Sequence, residues 1–472
     1  MISAHKHSIH RSPLHGSRKI LHERWSSPLM FVLAAGGATI GFNNFWQFPG
    51  LMLQHGGGAF LIVYLLCVLA IGLPLLMAEV AMGRSGRASP VKTFRFLARR
   101  ARAHPLWRFV GGMGIVGVFL ILSYLSVIAG WVIAYTLRAG FGVFSGLTAD
   151  GLNAQFAQMV KDPEKQLFWH TLFMVMTMYV ASRGVRHGLE SLVRYVMPMM
   201  LLLLAALTIY AATLEDFTSA INELFQPDFS KLSGTGILAA MSQAFFSLGL
   251  GTGAMLMYGA YLTVESKLPR LSLIVIGIDT FFAVVLALVI VTVLLAGNVA
   301  LSTGPNLVFQ SLPLAFDHVP HGRVFLTTFL VLLALAAWTS SIWLAEPVMV
   351  WLSERFSLSL QRSAILCGVS AWALGVITIL SFNNWAFSFS YLGVVKKLGF
   401  FDVLQVMTAQ LLLPLFGIMA TIFAGWIMRP DIIRDELHLR PSWLFPAWLW
   451  WMRLAVPLML LIVLFNLSDF LA

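Results

Sequence analysis

The stretch 36–44, Gly-Gly-Ala-Thr-Ile-Gly-Phe-Asn-Asn, lies inside an apolar run from residue 28 to about residue 53. The run is long enough to cross a bilayer. Three glycines and two asparagines are poor material for the centre of a helix. Hydrocarbon tolerates an interrupted backbone only where it lines a polar cavity, because the freed N–H and C=O groups need partners. A matching fault, Ser-Leu-Gly-Leu-Gly-Thr-Gly, occupies 247–253 in a second apolar run. Two interrupted spans in corresponding places of two halves point to the binding site of a secondary transporter.

The rest of the chain fits a membrane setting. Apolar runs of spanning length occur at about 28–53, 58–82, 107–137, 167–183, 189–212, 237–262, 269–300, 323–352, 361–380, 401–428 and 444–469, eleven in all. Only 11% of the 472 residues are charged, where a soluble domain carries roughly a quarter. The expected class is an all-α polytopic membrane protein with eleven transmembrane helices and no separate soluble domain. The net charge of +11 does not point to nucleic acid, because the basic residues cluster in loops beside the spans. Residues 1–27 hold five Lys/Arg against one acid, and 83–105 hold seven against none. That is the positive-inside pattern, and it makes membrane lipid, anionic on the inner leaflet, the expected macroscopic partner.

Loop charges give an orientation. With the N-terminus cytoplasmic, the loops 83–106, 183–188, 263–270, 353–362 and 429–443 lie inside, and each contains Lys or Arg. The outer segments 50–58 and 298–322 contain neither, while the outer loop bearing Lys396 and Lys397 is the exception. An odd number of spans places Ala472 outside. Cys67 and Cys367 both fall within apolar runs, so no disulfide framework is implied. His5, His7, His10, His15 and His22 match no metal-site spacing and read as part of a cytoplasmic tail over 1–27. Trp443, Trp448, Trp450 and Trp451 read as an interfacial belt. The recurrence of Phe42-Asn43-Asn44 as Phe382-Asn383-Asn384 reads as chance.

Several segments carry a family likeness. Trp25-Ser26-Ser27, residues 34–49, Gly56-Gly57-Gly58-Ala59-Phe60, and Ile71-Gly72-Leu73-Pro74-Leu75-Leu76-Met77-Ala78-Glu79 with Met82-Gly83-Arg84 resemble the first two helices of neurotransmitter:sodium symporters. Ser123-Tyr124, Ser126, Ala129-Gly130-Trp131, Gln243-Ala244-Phe245-Phe246-Ser247-Leu248, Gly304-Pro305, Leu307-Val308-Phe309 and Thr339-Ser340-Ser341 follow in family order. The resemblance implies the leucine-transporter fold: a 5+5 inverted repeat (about 28–212 and 237–428) with helices 1 and 6 unwound at mid-membrane, and an extra helix at about 444–469. It also implies one membrane domain over 28–472, in the inner membrane of a bacterium, as a monomer or weak homodimer.

The same resemblance assigns sites. One sodium site uses the carbonyls of Gly37, Ile40 and Ala336 with the hydroxyls of Thr339 and Ser340. The other uses Thr39, Asn44, Ser247 and Asp279. An acid deep in an apolar span is itself a functional hypothesis. Asp279 fits the family's carboxylate that stands in for chloride, a role Ala283 cannot fill, so no chloride requirement is expected. One or two sodium ions are expected, and no organic cofactor. The substrate lining comprises Ala38, Thr39, Gly41, Tyr124, Leu125, Phe246, Ser247, Gly249, Thr252 and Ser340. Leu125 and Thr252 depart from the family pattern, which places a carboxylate-binding tyrosine and a large apolar residue there. Tyr124 and Phe246 also serve as gates. At the outer gate Gln47 and Gln405 replace the family's Arg–Asp pair and permit an amide–amide hydrogen bond. At the inner gate Glu354 faces Arg24 or a protonated His22. Gly188 and Pro198 form a Gly-x9-Pro hinge.

These readings imply a sodium-coupled symporter importing an amino acid, or a closely related small zwitterion or anion, by alternating access. The alternative is a substrate sensor of the same fold that keeps its sodium sites but does not transport. No nucleophile–base pair, metal cluster or phosphate loop appears in the spans, so an enzyme is not expected. The neutral outer gate predicts closure that depends little on pH and salt, because no ion pair forms there. Stopped-flow fluorescence would check it; a steep dependence abolished by Gln405→Leu would refute it.

Overall fold

The computed structural model describes residues 23–382, 387–391 and 394–465. His5, His7, His10, His15, His22, Asn383, Asn384 and Ala472 lie outside the described residues. Among the described residues eight long helices are apolar enough to cross a membrane, and a ninth span is bent. The bent span is α1 (Pro28–Thr39) followed by α2 (Phe42–Gln54) at 52°. Then come α3 (Gly58–Gly86), α4 (Pro90–Arg100), α5 (Pro105–Gly140), α6 (Pro163–Ala181) and α7 (Val185–Ala211). The second half comprises α8 (Gly234–Phe246), α9 (Ala254–Ala260), α10 (Leu268–Ala296), α11 (Gly322–Phe356), α12 (Leu360–Ser381), α13 (Phe400–Ile427) and α14 (Leu444–Phe465). The segments α6 and α8–α9 coincide with the expected fourth and sixth runs but are not among the long apolar helices. A two-stranded hairpin, Phe387–Tyr391 paired antiparallel with Val394–Leu398, interrupts the otherwise helical chain.

Local chemistry sets the helix boundaries. Ser27 accepts the N–H of Met30 and Pro28 opens α1, which fixes where that helix begins. Ser233 and Ser359 cap α8 and α12 in the same way, accepting from Gly236 and Arg362. The first interruption is narrower than the sequence suggests. The helical ladder runs on to Ile40, whose N–H reaches Gly36, and resumes where Asn44 donates to Gly41. Only Ile40 and Gly41 leave it. Gly36 and Gly37 stay helical because their bare faces are used for packing. A methyl there would stand 3.0 Å from Ile278 and 2.7 Å from Met197.

The second interruption covers the whole expected stretch. Between α8 and α9, Gly249, Gly251 and Gly253 take φ of +60°, +77° and +70°, a region that side-chain-bearing residues avoid. Just beyond, α9 lies backbone to backbone on α3. A methyl on Gly83 would stand 1.8 Å from the Leu256 carbonyl, and one on Gly259 would stand 2.4 Å from that of Val80. Small residues allow such approach between membrane helices. Buried Arg84 closes the same end, bonding Glu436 at 2.5 Å and the Ser266 carbonyl at 2.6 Å. The element α1 is wedged between α7, α10 and α11, so both interruptions face the long helix α11 and the middle of α10.

Candidate functional site

The interruption between α1 and α2 meets α11 at Thr339 and Ser340, one turn past Ala336. The Thr339 hydroxyl oxygen lies 2.8 Å from the Gly37 carbonyl, 3.0 Å from that of Ala336 and 3.2 Å from that of Leu335. A threonine in a helix ordinarily bonds back to its own turn. Here the contact across to α1 is the shortest of the three. Ser340 is placed similarly, 2.9 Å from the Ala38 carbonyl and 3.3 Å from that of Ile40. Each hydroxyl has one proton for several carbonyls. Gly37, Ile40, Ala336, Thr339 and Ser340 thus supply neutral oxygens on two elements, the donor set a hard monovalent cation favours.

A second polar cluster lies on the other face of α1. Asn44 donates to Asp279 at 3.0 Å, Ser247 also donates to that carboxylate, and Ser247 lies 3.3 Å from the Asn44 side-chain oxygen. Thr39 donates to Gly36 at 2.9 Å, with its hydroxyl also facing Asp279. No lysine or arginine among the described residues pairs with Asp279, so the buried carboxylate has only neutral partners. Among the described residues the buried Gln243 amide nitrogen has no protein partner, and the buried Tyr64 hydroxyl faces Asp279. The carboxylate with the oxygens of Asn44, Ser247 and Thr39 is a donor set that suits a cation. Neither Tyr64 nor Gln243 stands out in the sequence, although Gln243 opens one of the family-like segments.

The substrate-lining candidates divide between two places. Ala38, Gly41 and Ser340 lie together, Gly41 being 3.8 Å from the serine oxygen at its Cβ position. The N–H groups of Gly41, Phe42 and Asn43 reach no carbonyl among the described residues. Thr252 folds back onto the Gly249 carbonyl at 2.7 Å and accepts from Ala254 at 3.2 Å, holding the α8–α9 turn. Tyr124 sits on α5 beside α13, 3.3 Å from the Thr408 hydroxyl and edge-on to Phe401, next to half-buried Leu125. Among the described residues Tyr124 and Phe246 make no ring contact; Phe246 packs on Phe245.

Two further residues belong here. Glu79, fully buried in α3, accepts the Gly251 N–H at 2.9 Å and so supports the open turn. It ends the family-like stretch 71–79 and is an acid in an apolar span, the same signal that singles out Asp279. Trp343, one turn beyond Thr339, has its ring edge 2.1 Å from where a methyl on Gly249 would stand. Its buried N–H has no protein partner among the described residues.

The gates differ from expectation. Gln47 and Gln405 are both exposed, and no hydrogen bond joins them among the described residues. Glu354 is held by the Ser89 hydroxyl at 2.5 Å and by Lys92 at 3.7 Å, while Arg24 is exposed and forms no ion pair with it. Lys92 wins because α4 brings it beside Glu354, whereas the chain around Arg24 is drawn to α7. There Glu23 accepts the Val185 N–H at 2.5 Å and Glu190 accepts the Ser26 N–H at 2.6 Å. Trp25 is buried on this side, donating to the Tyr258 carbonyl at 3.0 Å. Gly188 lies in the π-helical first turn of α7, its Cβ position 2.2 Å from the Val180 carbonyl, and Pro198 sits within the same helix.

The model of the sodium:neurotransmitter symporter family matches residues 22–143 and 155–470. An uncharacterized sodium-dependent transporter of Haemophilus influenzae is 29% identical, over 94% of this chain and 98% of its own. The Bacillus subtilis transporter YhdH, likewise described as uncharacterized and sodium-dependent, is 29% identical over 95% and 98%. The solved structure of MhsT in complex with L-phenylalanine is 35% identical, with a TM-score of 0.82 over 93% of this chain and 98% of that one. The architecture is the leucine-transporter fold. Its relatives are transporters rather than enzymes. This chain belongs to the sodium:neurotransmitter symporter family.

Proposed function

We propose that the protein couples sodium entry to import of an amino acid or closely related small zwitterion or anion, by alternating access and without chloride. The observation that carries this reading is the meeting of Gly37, Ile40 and Ala336 carbonyls with the Thr339 and Ser340 hydroxyls at the break in α1. A cation held there ties α1 to α11, so its binding favours the arrangement in which those elements are together. Coupling can equal only that difference in affinity between states. The organic solute lies between the two interruptions, with its anionic group on the N–H groups at the start of α2. Asp279 supplies the fixed negative charge that chloride would otherwise bring. The helix ends carrying Arg84, Lys92 and Glu354 face the cytoplasm in this scheme. The segments α6 and α8–α9 then complete eleven crossings, and Gly188 and Pro198 flex when the inner side opens.

Proteoliposome counterflow tests the reading. Exchange of labelled substrate should stop when choline replaces sodium and persist when gluconate replaces chloride. Sodium-stimulated binding without exchange would mark a sensor instead, and exchange indifferent to choline would refute sodium coupling. The substrate is found by thermal shift with amino acids, decarboxylated analogues and sulfonates, each with and without sodium, since a ligand stabilises the folded state by mass action.

A further inference from the structure

A cavity of about 1240 Å³ lies away from the ion and substrate sites, between α4, the start of α5, the end of α11 and the start of α12. It is larger than the ~300–1,000 Å³ typical of small-molecule pockets. Its walls are apolar, with Phe109, Val116 and Leu366 presenting 59%, 49% and 44% of their surface. Its charges are confined to one end, where Lys92, Arg95, Arg108 and Arg355 gather. The single carboxylate there, Glu354, is already engaged by Ser89 and Lys92. Arg95, Arg108 and Arg355 have no carboxylate partner among the described residues. Arg108 and Arg355 lie instead over the rings of Phe109 and Phe356, at 5.0 and 5.8 Å. Beside them, α4 buries Phe94 and Leu97 while exposing Arg95, Arg99 and Arg100, the pattern of a helix lying along a membrane surface.

From these features we infer that the cavity binds one anionic phospholipid. Its phosphodiester is held by Arg95, Arg108 and Arg355, and its acyl chains lie along Phe109, Val116 and Leu366. Unpaired guanidinium groups match the planar, multiply accepting phosphate, and the apolar slot leads from them toward the bilayer interior. A soluble phosphate or peptide would leave those apolar walls uncovered. The inference goes beyond the transport reading and does not depend on which side of the membrane is cytoplasmic, because a symmetric bilayer offers the lipid to both.

Native mass spectrometry of the full chain, titrated with phosphatidylglycerol or phosphatidylcholine of identical chains, tests it. Wild type should retain one phosphatidylglycerol roughly ten-fold or more tightly than phosphatidylcholine. Arg95→Gln/Arg108→Gln/Arg355→Gln should erase the preference while keeping the melting temperature, since these exposed side chains form no ion pairs among the described residues. Val116→Trp, which fills the slot with the charges intact, should weaken both lipids. Glycerol phosphate should not displace the bound lipid. Equal affinity for the two lipids in wild type, a preference surviving the triple substitution, or a dimer that covers the cavity and dissociates with Val116→Trp would each overturn the assignment. Lipid retention is read without transport, so it stands or falls separately from sodium coupling.

Discussion

Thr339→Val is expected to remove most sodium stimulation of uptake while leaving the protein folded. Valine keeps the shape of the side chain in α11 but deletes the oxygen that stands among the carbonyls of Gly37, Ala336 and Leu335. A ligand to the cation is lost, and the Gly37 carbonyl is left facing a methyl group. Losing a charge-assisted contact typically costs ~1.5–3 kcal/mol, which is roughly 10- to 150-fold in apparent sodium affinity. Thr339→Ser, which restores the hydroxyl, should recover most of it. Sodium titrations of uptake in proteoliposomes, read beside melting temperatures, give the answer. An unchanged sodium curve in the valine variant would remove this site from the mechanism.

Glu79→Ala should have a comparably large effect for a different reason. Its carboxylate is the acceptor for the Gly251 N–H inside the turn between α8 and α9. Gly251 cannot relax to find another, because it is fixed at φ +77° with its Cβ position 2.3 Å from the Leu413 carbonyl. Alanine therefore leaves a buried donor unpaired, about 1–3 kcal/mol, and adds a cavity in a packed region. The expected result is a lowered melting temperature with uptake reduced about ten-fold or more. Glu79→Gln keeps an acceptor oxygen and should retain most of both. If the glutamine variant lost as much as alanine, the side chain's charge rather than its hydrogen bond would be what matters.

Much of this architecture is legible in the residues themselves. Apolar runs locate the long helices because each needs ~20 residues to cross. The α8–α9 interruption is readable for the opposite reason: neither half is long, and three alternating glycines say why. The first interruption is overdrawn by the same logic, since Gly36 and Gly37 serve packing against Ile278 and Met197, a use that composition cannot distinguish from unwinding. That Thr339 meets Gly37, 302 residues away, is beyond periodicity and entered through family likeness. At the inner gate the likeness is not followed by Arg24, while His22, its alternative, lies outside the described residues. The likeness pairs Glu354 with the chain's beginning, whereas the placement of α4 gives that carboxylate to Ser89 and Lys92. Trp343 escapes notice because its role depends on how closely Gly249 approaches, a distance that no run of letters records.

The backbone contact between α3 and α9 has a mechanical consequence. Main-chain atoms packed that tightly, through Gly83 and Gly259, have no side chains between them to slide or re-sort, so the two elements travel as one rigid leaf. The foot of α1 is fastened differently, by the Glu23 and Glu190 carboxylates and the Trp25 indole, links that water can replace one at a time. On the proposed transport cycle the links at the foot of α1 would part while the α3–α9 contact stays closed.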